Sequence, residues 1–269
     1  MPATGSLPAR PRLDPQEMVV LHRVFRREIP LLAGLIEAAV PGDRRRTATL
    51  ADHLDLVLGA LAEHHEGEDD LLWPKLRERA APGGEVVTRM TEQHEAIAGA
   101  LAAATDLSHR WRTLADHETA LRLADALRAL DRHAVAHMDD EEQHLLPLMA
   151  DHITAQEWSE VGERGRGSVP KTKLLIFLGA ILEDATAQER QLFLSQMPAP
   201  ARLLWRTLGT RLYERTTTRV RRSVGPGAKG SCSPRTHGRT AGSSRGAGEA
   251  GRPCVVSGVR RAGGSGGCR

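Results

Sequence analysis

The stretches "HHEGEDDLLWPKL", beginning at His64, and "HMDDEEQHLLPLM", His137 to Met149, align without a gap. His64 falls on His137, Glu68 on Glu141 and Pro74 on Pro147, at an offset of 73 residues. A histidine and a glutamate four residues apart share one helix face, so each copy aims a nitrogen and an oxygen donor the same way. A lone histidine precedes each copy by nearly the same interval: His22 lies 42 residues before His64, and His94 lies 43 before His137. Four imidazoles and two carboxylates left bare inside an apolar bundle would cost several kcal/mol per charge, and metal ions compensate such a set. The donors suit a dinuclear centre in which each metal takes two nitrogens from one repeat while Glu68 and Glu141 bridge. Two positions on each metal then remain for water, oxo or hydroxo bridges and a small ligand.

A blander reading of each residue stands beside this one. A lone histidine such as His22 or His94 commonly sits on a surface or caps a helix, and a His/Glu pair at i and i+4 can be a surface hydrogen bond of small worth. Two gap-free copies at matching intervals favour ligation. His65 sits about 100° around the helix from His64 and is expected outside the site. His53 and His133 could be outer donors, extra ligands or core-edge histidines. Asp69 and Glu142 are read most simply as solvated, with orientation of a ligand imidazole as the sharper alternative. Leu72, Trp73, Leu145 and Leu146 read as packing that closes one end of the site.

Helices must carry these donors to one level. "DPQE" at Asp14 to Glu17 announces the first, with Asp14 as cap, Pro15 at the first helical position and Glu17 completing a capping box. Apolar residues recur at Met18, Leu21, Val24, Phe25, Leu32, Leu35 and Ile36 until "PGD" at Pro41 to Asp43, with a kink expected at Pro30. Further patterns run from about Thr47 to Ala80, Val86 to Leu107 and Asp116 to Asp151, the third connection falling around Trp111 to Asp116. The arms from His22 to the Pro41 turn and from Thr47 to His64 are each roughly 26 Å at 1.5 Å per residue, so the chain returns to the level it left. Four helices with short connections predict an all-α, antiparallel up-down four-helix bundle. "TAQE" at Thr154 and again at Thr186 predicts two more helix starts, and an apolar helix is expected over about 171–182 and an amphipathic basic one over about 200–219. The stripe of Leu203, Leu204, Trp205, Leu208 and Leu212 is expected to pack on its own domain, with a membrane or partner surface as the alternative.

At the doubled motif the sequence resembles the hemerythrin family, in its HHE cation-binding branch, over residues 13–152. That resemblance implies a non-haem di-iron site, with other divalent metals possible, held by His22, His64, Glu68, His94, His137 and Glu141. It implies a module that binds or senses dioxygen, nitric oxide, peroxide or iron, with a di-iron oxidoreductase acting on peroxide or nitric oxide as the alternative. Oxygen carriers of the family have a second histidine where this chain has Ala98, and an aspartate five residues on where this chain has Glu141 at four. These departures remove a nitrogen from one iron and point away from reversible carriage, toward sensing, peroxide or nitric oxide chemistry, or iron handling. Residues 153–220 are expected to form a helical C-terminal extension, similar to those of some family members.

Of the 269 residues, 40% are hydrophobic and 3% aromatic, a composition that builds a core from Leu, Ala, Val and Ile and leans toward helix. The net charge of +3 is unevenly placed: residues 221–269 hold ten Lys/Arg against one Glu, and residues 1–220 hold 27 against 33 acidic groups. Those last 49 residues also carry 13 of the 26 glycines and are expected to be a disordered basic tail. An inert extension is the expected reading; a nonspecific tether to nucleic acid or an acidic membrane is the alternative, and no aromatic is interleaved to stack on bases. All three cysteines, Cys232, Cys254 and Cys268, lie in that tail, so the body has neither a disulfide framework nor a thiolate site. The longest apolar run, Leu174 to Leu182, is far below the roughly 20 residues that span a bilayer, and the N-terminus lacks an apolar leader. A cytoplasmic protein is expected.

Overall fold

The computed structural model describes residues 16–80 and 83–222; the Asp14–Pro15 cap and most of the basic tail lie outside them. All regular structure among the described residues is helical. The helices are α1 (Gln16–Glu37), α2 (Arg44–Leu71), α3 (Trp73–Arg79), α4 (Gly83–Leu114), α5 (His117–Asp140), α6 (Leu146–His152), α7 (Ala155–Ser168), α8 (Leu174–Glu183), α9 (Ala187–Gln196), α10 (Ala199–Leu204) and α11 (Thr210–Arg221). Single π-turns, Glu141–Leu145 and Trp205–Gly209, join α5 to α6 and α10 to α11.

Local chemistry sets these boundaries. Pro30 sits inside α1 without ending it. Gly42 turns the chain at φ +82°, a conformation that suits a residue without Cβ. The Asp43 carboxylate then accepts the Arg46 N–H at 2.9 Å and caps α2. Asp116 caps α5 in the same way, 2.8 Å from the Thr119 N–H. Gly42 donates its N–H to the Ala115 carbonyl at 2.8 Å, tying the α1–α2 turn to the α4–α5 turn. Both "TAQE" signals form capping boxes, at Thr154/Glu157 and Thr186/Glu189.

Three boundaries depart from expectation. The helix expected to end near Leu107 continues to Leu114, because Trp111 is fully buried in the core and its burial extends the helix by two turns. The second pattern breaks at Leu72, where Pro74 enters as an early residue of α3. In the second copy the chain instead widens into the π-turn before Pro147, with the Leu146 N–H reaching the Glu141 carbonyl.

Helix α1 packs on α2 and α5, and α4 packs on the same two. Their apolar faces form two separate clusters. One holds Phe25, Ile29, Leu54, Leu61, Ile97, Leu130 and Ala134. The other holds Met18, Leu72, Trp73, Met90, Leu145 and Met149. Along each long helix the histidines and glutamates fall between the two: Met18, His22, Phe25 on α1; Leu61, His64, Leu72 along α2 and its C-terminal cap; Met90, His94, Ile97 on α4; Ala134, His137, Leu145 along α5 and its π-turn. The order reverses from each helix to the next.

The later helices brace this core. Helix α7 lies on α2, α8 and α9 on α1, and α11 on α8 and α2. Arg221 reaches Glu28 at 3.0 Å and Glu183 at 2.5 Å, while Arg46 donates to the Val220 carbonyl at 2.7 Å. The leucine stripe expected to pack inward does so only at Trp205. Leu203, Leu204, Leu208 and Leu212 are exposed, because the π-turn folds the Trp205 ring over Gly209 rather than turning the leucines toward α8. Among the described residues no helix is long and apolar enough to cross a membrane.

Candidate metal centre

All six expected donors are buried in one cluster at the polar level between the two apolar clusters. His22 Nε2 lies 3.1 Å from His64 Nε2, and His94 Nε2 lies 3.1 Å from His137 Nε2. Each carboxylate reaches both pairs. Glu68 places one oxygen 3.3 Å from His64 Nδ1 and the other 3.4 Å from His94 Nε2. Glu141 Oε2 is 3.3 Å from His22 Nε2 and 3.7 Å from His137 Nε2.

None of the four carboxylate oxygens of Glu68 and Glu141 has a hydrogen-bond partner. Two fully buried carboxylates without donors are strongly destabilising unless a cation meets them. The donor set fits a metal ion: two groups of side chains, His22, His64, Glu141 and His65, Glu68, His94, His137, each bring one ligand atom apiece within 4.8 Å of one another. Nitrogen and carboxylate donors without thiolates suit iron, manganese or zinc.

Burial, reinforced by the negative charges of Glu141 and Asp69, pushes the Glu68 carboxyl well above the usual range. Burial also opposes ionisation of Glu141, but the close approach and charge of His22, with help from His137 and His94, hold it below that range. For His22, burial is outweighed by the adjacent Glu141 and Glu142 carboxylates, and the imidazole is raised. Burial and neighbouring imidazoles lower His64 and His65 well below the ordinary value, and burial brings His137 to about 3 despite Glu141. At neutral pH these three rings are uncharged and keep a lone pair for coordination.

The model of the hemerythrin HHE cation-binding domain matches residues 15–149, a span that contains every one of these side chains. The chain belongs to the hemerythrin HHE family. No curated protein and no solved structure matches it. The matched HHE segment ends within α6, so α7 to α11 lie beyond it.

Within the HHE segment, the outer faces of the histidines are held as well. His22 Nδ1 is 2.8 Å from Glu142, itself paired with Arg26 at 2.6 Å. His94 Nδ1 is 2.9 Å from Asp69, and His137 Nδ1 is 3.1 Å from the Gln93 side-chain oxygen. Gln93 in turn donates to Asp140, which Arg89 grips through two nitrogens. An Nδ1–H donated outward fixes the ring and leaves Nε2 as the inward lone pair. Asp69 and Glu142, read first as solvated, therefore orient the lone histidines. The residue after each bridging candidate holds the lone histidine of the other repeat.

His65 is the main correction at the site. It is buried rather than outside, with ring centroids 4.4 Å from His94, 5.0 Å from His137 and 5.1 Å from His64. The reason is helical spacing: Glu68 has histidines at both i−3 and i−4, and both positions face the same way. The repeat does not reveal it, since it pairs His65 with Met138, an apolar residue that is itself fully buried. His53 instead pairs with the buried Glu28 at 2.9 Å in another part of the core, and His133 is exposed; neither joins the cluster. Leu72, Trp73, Leu145 and Leu146 are buried and wall one end of the centre, as expected. Beside it, a cleft of about 550 Å³ opens between α2 and α4, lined by His65, Asp69, Trp73, His94, Ala98 and Leu101 among others.

Proposed function

We propose that this chain is a di-iron binding module that binds or senses dioxygen, nitric oxide, peroxide or iron itself, on an antiparallel up-down four-helix bundle. The reversed order of apolar clusters along successive long helices supports that topology. The observation that carries the metal reading is the pair of buried carboxylates without hydrogen-bond partners, each close to both histidine pairs. His22 and His64 would hold one ion, His94 and His137 the other, and Glu68 and Glu141 would bridge. Bound iron supplies redox-active, Lewis-acidic positions for a small oxidant.

The protein's own residues do the rest. Asp69, Glu142 and Gln93 fix the imidazoles, and Leu72, Trp73, Leu145 and Leu146 exclude water from one end of the centre. A cleft of small-molecule size lies beside His65 and His94. Residues 13–152 form the functional unit in this reading, residues 153–220 brace it, and residues 221–269 form a basic tail. A cytoplasmic setting suits a body without cysteines.

Anaerobic loading with ferrous iron, followed by metal analysis and absorption spectra before and after peroxide, tests the proposal. Two irons per chain with a new oxidised-iron absorption supports it. A folded chain that takes up no iron refutes it. Repeated turnover of peroxide that disappears in Glu141→Ala would instead establish the oxidoreductase.

A further inference from the structure

The two halves of the centre are unequal. The repeat supplies two imidazoles to each side, yet His65 adds a third ring to one side alone. Its Nε2 is buried and has no hydrogen-bond partner. That ring lies with Glu68, His94 and His137 in one group of potential ligands, whereas the opposite group holds only His22, His64 and Glu141. The His65 and His94 rings are 4.4 Å apart at 38°, and His65 meets His137 edge-on at 85°.

We infer that His65 is a third nitrogen ligand to the ion held by His94 and His137, which makes the centre asymmetric and leaves its open positions mainly on the ion held by His22 and His64. This rests on the two-ion reading above. The competing role for His65 is packing. The other repeat speaks to it directly, because the aligned residue is Met138, buried and apolar with no donor function in the cluster. A chain needing only a packing side chain at this place already has a solution in its own second repeat. The imidazole therefore calls for another reason, and three imidazoles around one carboxylate provide it. Such a donor set also gives the two ions different ligand fields, so a small ligand has one preferred side.

His65→Met tests this, since Met138 shows that methionine is accommodated at the aligned position and a soft thioether is a poor ligand for ferrous iron. The readouts are stepwise anaerobic ferrous iron binding and Mössbauer spectra of the loaded chain. The wild type is expected to bind two irons with distinct signals. In His65→Met one iron should weaken by more than the roughly tenfold that loss of even an outer partner costs, while the other is unchanged. A second variant, His65→Ala with Ala98→His, places an imidazole one turn after His94 in the same cleft. Return of the second iron there supports nitrogen donation at this position. If either single variant, His65→Met or His65→Ala, stays folded and loads both irons with wild-type affinities and spectra, His65 is a packing residue and the inference falls. A wild-type chain that binds no iron overturns the two-ion reading instead, and that result is separable because it precedes any variant.

Discussion

The His94 Nδ1 atom and the Asp69 carboxylate stand 2.9 Å apart, joining the lone histidine of the second repeat to the residue that follows the bridging candidate of the first. The same relation, inverted, joins His22 to Glu142 at 2.8 Å. The repeats are thus cross-linked outside the metal positions. Because a carboxylate on Nδ1 fixes the ring and raises the basicity of Nε2, Asp69→Ala and Glu142→Ala are each expected to lower ferrous iron affinity by about 10–100-fold. Competition with a chelator of known strength measures this. Wild-type affinity in both variants would mean that the outer carboxylates are only solvated acids.

Metal removal should destabilise the fold. Four carboxylate oxygens are buried in the centre without hydrogen-bond partners, so an ion that binds them only in the folded state stabilises it. At a free concentration of 100 times Kd the gain is about 2.7 kcal/mol, or roughly 5–10 °C in melting temperature for a domain of this size. Thermal scans with iron and with a chelator should differ by that amount. Coincident melting curves would contradict the account.

Glu28 predicts a pH dependence unrelated to the metal. It is buried, and burial alone would raise its carboxyl; hydrogen bonds to His53 and Arg27 overcome this and hold it near 2, below an ordinary 4.5. A carboxyl lowered on folding stabilises fully above its unfolded value and loses that contribution as pH falls toward its folded one. The stabilisation is about 3 kcal/mol at neutral pH and fades between about pH 4.5 and pH 2. Urea unfolding of wild type and Glu28→Gln at pH 7 and pH 3 should show the difference shrinking in acid. A gap that stays constant with pH would show that the ion pairs of Glu28 contribute nothing.

Gly179 lets α11 approach α8. A methyl group there would overlap the Tyr213 ring and stand 2.7 Å from its Cβ, an atom too close to the backbone to swing away. Gly179→Ala should therefore destabilise the C-terminal helices by about 1–3 kcal/mol while leaving iron content unchanged. An unchanged denaturation midpoint would show that α8 and α11 separate without cost.

Much of this organisation could be read in the residues themselves. The helix starts at Thr154 and Thr186 followed from side chains that satisfy backbone N–H groups locally, and such contacts need no tertiary partner. The gathering of His22, His64, Glu68, His94, His137 and Glu141 followed from a repeat and a count of helix rise. His65 was hidden because the repeat pairs it with a methionine, and alignment by type overlooks a position whose burial is shared while its chemistry is not. The π-turn at Glu141 was also hidden, since one extra residue in a helical turn leaves no local signature. Trp111 and the exposed leucines of α10 and α11 depended on which surfaces meet, a matter of tertiary packing that periodicity alone does not settle.

The most direct test of the central claim is the iron content of the anaerobically loaded chain beside that of a Glu68→Ala, Glu141→Ala double variant. Two irons per wild-type chain, falling to none or a weakly held one in the folded double variant, is the result predicted for a centre bridged by both carboxylates. Equal iron in both proteins, or a folded wild type with none, would contradict it.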